Sequence, residues 1–524
     1  MFTRKFSALV NWNRNSSAAA VAMVFVALVN IYIAFTTPVP NGGQDSWNHY
    51  LYARWAFRHP ELMLDQWGKP FFTILAMPFA QLGMGAVLLL NHLSVLATAW
   101  LSYLTARKLG LKNPWMVIFL FSWQPIVLAN VHSALTEPSN ALVLVWICYL
   151  FAGNRWATAT VVASFLPVVR SEGFVLLAAI MLFLALRNRW KYMPLALVGV
   201  FTYAIAGAIL SGKWDWVISQ NPYVRQEIDG GFDAGHGNFW HYAMHQKEIM
   251  GIIVSVLCLI SLGLVLSYIA KRLKNKTPAQ HSQMALWLWW PLFGFFFLAH
   301  SILWWKGAMG SHGLLRVFVT VSPIMALLSM YSLDMLMRLE IRQLNRALKA
   351  LVSAGMFVVA FPGAGLPYPW MGGAQCDVIY NGNNNDQPVA KALAWIKQSN
   401  HRNAILVHQI PAINVFNNLD PWGAELQLHP ISPNGEWMSP KPVNDWPMSS
   451  RTLSVWSIDS KDSGLHDWVP KGSVVLWDNF HARRDGNMSR NALLSLKNYR
   501  TVFEAGLSDA DTTNDVIVRV KFRD

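Results

Sequence analysis

The sequence is short of charge, shorter still of cysteine, and carries no glycine-rich nucleotide fingerprint. Asp, Glu, Lys and Arg make up only 13% of its 524 residues, against about 25% in an ordinary soluble domain. That excludes a chain kept in solution along its whole length by a charged surface. Of the 3 cysteines, Cys148 and Cys258 fall inside apolar runs and Cys376 stands alone, so no disulfide framework is available. The segment NGNNND (381–386) is a loop signal, not a phosphate cradle.

What is abundant is apolar and aromatic. Hydrophobic residues reach 54%, with 26 Trp and 28 Phe, a composition suited to lining two membrane–water interfaces. The formal charge of +14 points to nucleic acid only until the charges are located. In the first 350 residues most Lys and Arg sit in short clusters between apolar runs, as in cytoplasmic membrane loops.

Apolar runs over 17–37, 71–106, 114–130, 138–152, 156–169, 173–186, 192–211, 249–270, 286–304, 314–333 and 350–366 predict an α-helical polytopic membrane protein. About eleven transmembrane helices are expected at 1.5 Å per residue. The first run is read as a retained span, since it is longer than a signal-peptide core and TTPVPNGG is a poor cleavage site. The first part of 71–106 is expected in the interface and the second part across the bilayer.

Alternate loops carry Arg4, Lys5 and Arg14; Arg107, Lys108 and Lys112; Arg155; Arg187, Arg189 and Lys191; Lys271, Arg272, Lys274 and Lys276; and Arg338, Arg342, Arg346 and Lys349. Positive charge marks the cytoplasmic side, which places the N-terminus there. Residues 38–70, 131–137, 170–172, 212–248, 305–313 and the tail from 367 then lie outside. The tail alternates amphipathic and β-rich segments: QPVAKALAWIKQSN, AILVHQI, SVVLWD, SRNALLSLKNY, TVFEAG and VIVRVKF. That pattern predicts a C-terminal extracytoplasmic α/β domain over 367–524, following a membrane domain over 1–366.

Ionisable residues gather on the expected outer side, where mere connectors have little use for them. In the first outer loop Asp45 follows a Gly pair, with His49 four residues on and Arg54 and Arg58 behind. A carboxylate beside an imidazole can act as a general base on an acceptor hydroxyl; Asp45 can equally cap a short helix starting at Ser46. HSALTEP places His132 and Glu137 where one span ends and the next begins. VVRSEGF places Arg170 and Glu172 at a tight turn, where ionisable groups near bilayer depth face the protein interior or a cavity; the two can equally just pair with each other. WWKGAMGSHGLLR carries Lys306, His312 and Arg316, and an Arg at that mouth is placed to clamp a phosphate at headgroup level. HYAMH sets His241 and His245 one helical turn apart, which is metal-ligand spacing. No cysteine and no fixed third ligand accompany the pair, so no metal site is expected, although a divalent metal there remains the alternative.

The layout resembles the GT-C superfamily of integral-membrane glycosyltransferases. The likeness is carried by the Asp in GGQDSWNHY after the first span, by LTEPSN, and by RSEGF one hairpin later. SHGLLRVFVTVSPIMALL is similar to the H-x-x-x-R-F-x-x-x-x-P-x-x-x-L stretch of polyprenol-linked mannosyltransferases. The resemblance implies transfer of a sugar, a hexose with mannose as a candidate, from a polyprenyl phosphate to an acceptor hydroxyl at the outer face, with inversion. It implies Asp45 and His49 at the catalytic step, and Arg316, Lys306, His312 and Arg170 at the donor phosphate. His132, Glu137, Glu172 and Arg54 would then contact the substrate. The family often pairs two acidic residues in this loop, whereas Asp45 stands between Gln44 and Ser46, so neither metal nor other cofactor is expected. A lipid-linked polysaccharide polymerase or ligase is the alternative, followed by a transporter or flippase, for which neither internal repeat nor midspan charge is found. The expected setting is the plasma (inner) membrane of a cell envelope. The expected partners are the lipid-linked sugar, the bilayer and an unidentified glycan, lipid or protein acceptor, without nucleic acid.

Overall fold

The computed structural model describes residues 2–37, 40–219, 235–272, 283–339, 341–350 without 342, 345 and 349, 386–420 without 403, 405, 409, 417 and 419, 452–454, 471–482 without 480 and 481, 489–506 and 515–523. The expected span at 350–366 beyond its first residue, the loop 381–386 before its last residue, and Cys376 lie outside these residues.

The chain divides into two compact units, one of residues 1–41 and 60–380 and one of residues 42–59 and 381–524. The first is helical. It contains α1 (Phe2–Thr36), α3 (Pro70–Ala80), α4 (Met84–Lys108), α5 (Met116–Ser122), α6 (Pro125–Val131), α7 (Glu137–Ala152), α8 (Trp156–Ala163), α9 (Leu166–Val169), α10 (Gly173–Leu186) and α11 (Val198–Ser211), with α2 (Gly43–Trp55) assigned to the second unit. It continues through α12 (Trp216–Ser219), α13 (His241–Met244), α14 (Gln246–Arg272), α15 (Trp290–Lys306) and α16 (Ser322–Met337).

Among the described residues six helical stretches are long and apolar enough to cross a membrane: Asn15–Thr36, Met84–Lys108, Trp190–Leu210, Gln246–Ser267, Ala285–Lys306 and Leu315–Met337. Shorter apolar helices run over Pro70–Ala80, Glu137–Ala152, Trp156–Val169 and Gly173–Leu186. The expected span at 114–130 is instead two helices, α5 and α6, with every residue of both buried. Pro125 accounts for the break, because its ring disfavours the helical conformation at the preceding residue. Gln124 is accordingly extended (φ −68°, ψ 131°). Its amide donates back to Leu120 O and across to Ser322 O, both at 2.9 Å.

Several helices stop by one device. Gly110, Asn154, Asn188 and Gly307 take left-handed backbone (φ 71°, 57°, 54° and 66°). The next residue's N–H then reaches back five residues: Leu111 to Ala106, Arg155 to Leu150, Arg189 to Leu184 and Ala308 to Leu303. Gly and Asn tolerate this conformation at little cost, and the bonds satisfy carbonyls orphaned at each helix end.

Between helices, small polar residues allow close approach. Along the buried face of α4, Ser94, Thr98, Ser102 and Thr105 return their hydroxyls to carbonyls one turn back at 2.7–2.9 Å. These groups need no partner on α7, the helix against which α4 packs most extensively. Ser332 of α16 donates to Leu257 O of α14 at 2.6 Å, a bond worth roughly 0.6 kcal/mol in this setting. The stretch ending in α16 is buried along its full apolar window. At its far end Asp334, fully buried, accepts the Lys112 N–H at 2.8 Å and the Arg338 Nε–H at 2.7 Å, tying the α4–α5 loop to α16.

The second unit is an α/β domain. Strands β1 (Leu406–His408), β2 (Thr452–Ser454), β3 (Val474–Asp478), β4 (Tyr499–Ala505) and β5 (Val516–Lys521) form one sheet in the order β2-β1-β3-β5-β4. β1 pairs in parallel with β2 and β3, and β5 runs antiparallel between β3 and β4. The helices are α17 (Asp386–Gln398), α18 (Pro411–Phe416) and α19 (Arg490–Ser495). The strands expected from AILVHQI, SVVLWD and VIVRVKF are all formed.

Candidate active site

Three turns of the helical unit supply the charges. The segment from α6 to α7 brings Thr136 and Glu137, the α9–α10 turn brings Arg170, Ser171 and Glu172, and the 3₁₀ segment Leu315–Val321 brings Arg316. Glu137 opens α7 with Pro138 behind it, a position where a Pro is pre-set for the helix and a negative charge meets the exposed N–H groups.

Arg170 is the hub. Its NH1 stands 3.1 Å from Glu137 Oε1, and its NH2 donates to Glu172 Oε1 at 2.7 Å. NH1 also donates to the Thr136 hydroxyl. Arg316 Nε lies 3.6 Å from the same Glu137 oxygen. Glu137 is 2% exposed, so these charges are held in a poorly solvated place. Burial alone would raise the Glu172 carboxyl; the Arg170 guanidinium, with His300 and Lys69 farther off, more than offsets it and holds the group well below the usual carboxylate range.

That shift has a sign. A carboxyl depressed in the folded state contributes stability above its unfolded value, about 4.3, and loses it as pH falls through the folded value. Thermal stability in detergent is therefore expected to decline as pH drops below about 4.3, and to decline less steeply in Glu172→Gln. Parallel declines in the two proteins would remove Glu172 from the acid-labile set.

Two further residues join this cluster that the sequence pattern had not singled out. Lys69, 5% exposed, donates to Ser171 Oγ at 3.2 Å and to Gln66 O at 3.0 Å. The loop beneath it is built for the purpose: Asp65 Oδ1 accepts the Gly68 N–H at 2.7 Å, and Gln66 reaches Val217 O at 3.0 Å. Lys69 takes an unusual φ of 62° directly before Pro70. The available signal was GKP, a cation set immediately ahead of an apolar run. His300, in α15, packs its ring 4.4 Å from that of Phe296 and acts electrostatically on Glu172. Glu137 Oε2 and His300 Nε2 are buried without a hydrogen-bond partner among the described residues, and such atoms are costly unless a polar group meets them.

The other expected site residues are distributed as follows. His132, at the end of α6, meets His92 of α4 with the rings tilted by 55°, its Nδ1 3.1 Å from His92 Nε2; His92 Nδ1 faces Asn30 Oδ1 at 3.4 Å. An amide oxygen only accepts, so His92 donates through Nδ1 and its Nε2 accepts from His132. Burial pushes the His132 imidazole down. Lys306 ends α15, exposed, with its ammonium 4.0 Å over the Trp305 ring. His312 sits in the following loop with φ 50°. His241 Nε2 meets Gly313 O at 2.9 Å and His245 Nδ1 meets His241 O at 2.8 Å, so one nitrogen of each ring serves a backbone carbonyl. Among the described residues no group of three or more His, Cys, Asp or Glu side chains could hold a metal ion.

Asp45, His49 and Arg54 belong to α2, in the second unit. The helix begins at Gly43, with Gly42 in left-handed backbone as its cap, so Asp45 lies inside the first turn and is not the cap of a helix from Ser46. His49, one turn on, is buried, and Arg54 Nε donates to Asn418 Oδ1 at 3.1 Å.

No family model and no curated protein matches the sequence. Solved structures do. The chain is similar to ArnT from Cupriavidus metallidurans in the apo state, with a TM-score of 0.56 and 14% identity over 96% of this chain and 98% of that one. It is likewise similar to the same protein bound to undecaprenyl phosphate, with a TM-score of 0.55 and 13% identity over 95% and 97%. The Archaeoglobus fulgidus oligosaccharyltransferase tethered with an acceptor peptide gives a TM-score of 0.48 at 13% identity, over 88% of this chain and 69% of that one.

Proposed function

We propose that this chain, a multi-pass membrane protein with the GT-C fold, is a glycosyltransferase that moves a sugar from a polyprenyl-phosphate donor to an acceptor hydroxyl. The donor sugar is read as a hexose, with mannose the first candidate from the sequence resemblance. The observation that carries the reading is the buried cluster in which Lys69, Arg170 and Arg316 face Glu137 and Glu172. The carboxylates, with Asp65 acting on Lys69, hold these cations pre-oriented in a poorly solvated place. Guanidinium groups suit a phosphate because their paired N–H donors match its oxygens. ArnT, whose fold the chain shares, has been crystallised with undecaprenyl phosphate.

The chemistry follows as a single displacement. The acceptor oxygen attacks the anomeric carbon, the bond to the phosphate oxygen breaks, and the configuration inverts. Arg316, Arg170 and Lys69 stabilise the charge that grows on the leaving phosphate, an effect worth roughly 2.7–4 kcal/mol per well-placed donor. Asp45 takes the proton from the acceptor hydroxyl, with His49 beside it in the helix. Cationic side chains do the electrostatic work here, so the reading needs no metal.

Purified protein supplied with a panel of polyprenyl-phosphate sugars is expected to release free polyprenyl phosphate. Asp45→Asn and Arg316→Ala are expected to lose that release by at least about 100-fold, with thermal unfolding of each variant read alongside to separate lost chemistry from lost fold. Near-full activity in Asp45→Asn would remove the base assignment. Turnover of a diphosphate-linked oligosaccharide alone would move the protein to the polymerase or ligase class.

A further inference from the structure

We infer that the C-terminal unit is a positioning element for transfer: it sets Asp45 through a clasp between the end of α2 and the segment after β1. The inference rests on the reading of Asp45 as the base.

Helix α2 cannot hold itself. It has 13 residues, a polar average composition and no side-chain bond at its N-cap, and isolated helices shorter than about 12–15 residues are marginal in water. Yet Trp47, Leu51 and Trp55 of this helix are buried. Its own unit supplies support. α18 packs against α2 and begins just after β1, the strand flanked by β2 and β3. His408 at the end of β1 fixes the turn between them, its Nδ1 accepting the Ile410 N–H at 3.1 Å.

The clasp closes beyond α18. His59 Nε2 lies 3.0 and 3.2 Å from the two Asp420 carboxylate oxygens. Arg58 approaches the same carboxylate at 3.9 Å, and Arg54 donates to Asn418. His59 and Asp420 are each largely shielded, with side chains 17% and 16% exposed. Asp45 lies at one end of α2 and the clasp at the other, so the helix is a lever roughly 20 Å long. A small tilt at the clasp displaces the carboxylate, and a shift of about 1 Å in a catalytic group can cost about 100-fold in rate.

The test uses the full chain in detergent with Asp420→Ala, His59→Ala and the double variant. Turnover of the polyprenyl-phosphate donor is read alongside backbone hydrogen exchange over 43–55. Each single variant is expected to exchange faster over 43–55 and to lose about 10-fold or more in kcat at unchanged KM for the donor. The double variant should be no worse than the poorer single. Asp420→Ala should cost nothing further in an Asp45→Asn background. Asp420→Asn, which keeps an acceptor oxygen for His59, should fall between wild type and Asp420→Ala, and serves if the alanine variant fails to fold. Unchanged exchange over 43–55 would dismiss the clasp. Faster exchange with unchanged kcat, or the same fold-loss in the Asp45→Asn background, would dismiss positioning. Full activity of Asp45→Asn alone would defeat the base assignment instead, while the exchange data would still report on the clasp.

Discussion

Arg170→Ala is expected to be the most damaging single substitution in the helical unit, costing stability as well as turnover. Arg170 bridges Glu137 and Glu172, with its own side chain 11% exposed and theirs 3% and 16%. Removing one partner of a buried ion pair typically costs 3–5 kcal/mol, because the remaining charge stays desolvated. Two carboxylates lose their principal counter-charge here, so roughly the upper part of that range applies. The measurement is thermal unfolding in detergent. The companion variant separates structure from chemistry: Arg170→Ala combined with Glu137→Gln and Glu172→Gln should recover most of the stability, since neutral amides carry no stranded charge. It should recover none of the turnover, since the clamp proposed for the phosphate is still gone. An unfolding temperature unmoved in Arg170→Ala would mean that Arg316 and Lys69 already balance both carboxylates.

Lys69→Met should do the opposite, abolishing turnover while leaving the fold nearly intact. Methionine fills the space of the lysine stem, so little packing is lost. The ammonium, held by Ser171 and the Gln66 carbonyl, is a pre-oriented cation next to the Arg170 and Glu172 pair. Loss of one such donor from a water-poor site costs roughly 10²–10³ in rate. Single-turnover release of polyprenyl phosphate at saturating donor checks this. A loss of only a few fold would leave Lys69 a structural role, bracing the 65–69 loop.

These expectations depend on residues the sequence made legible to unequal degrees. Glu137, Arg170, Glu172 and Arg316 stood out because an ionisable group at the end of an apolar run needs a reason to be there. The Arg170–Glu172 pair within one turn was an open alternative there; which turns meet could not be read, since the long runs between them conceal it. Lys69 and His300 escaped notice for opposite reasons: one sits in a loop rich in other polar residues, the other is a lone imidazole inside an apolar helix. The membrane class and the C-terminal sheet followed from hydropathy and alternation. The break at Pro125 was readable, yet an uninterrupted apolar window hid it. The membership of residues 42–59 in the C-terminal unit could not be read at all, because it depends on contacts such as His59 with Asp420, hundreds of residues away in the chain.

The short helices carry a consequence for the bilayer itself. α7 and α10 have 16 and 14 residues, so each reaches only about 21–24 Å, whereas the hydrocarbon layer is about 30 Å thick. A helix that short is matched by thinning of the layer or by flanking side chains reaching out to its surface, at a cost of fractions of a kcal/mol per Å. Bilayer thickness is therefore expected to alter the turnover proposed above, and reconstitution into lipids of graded chain length reads that dependence directly.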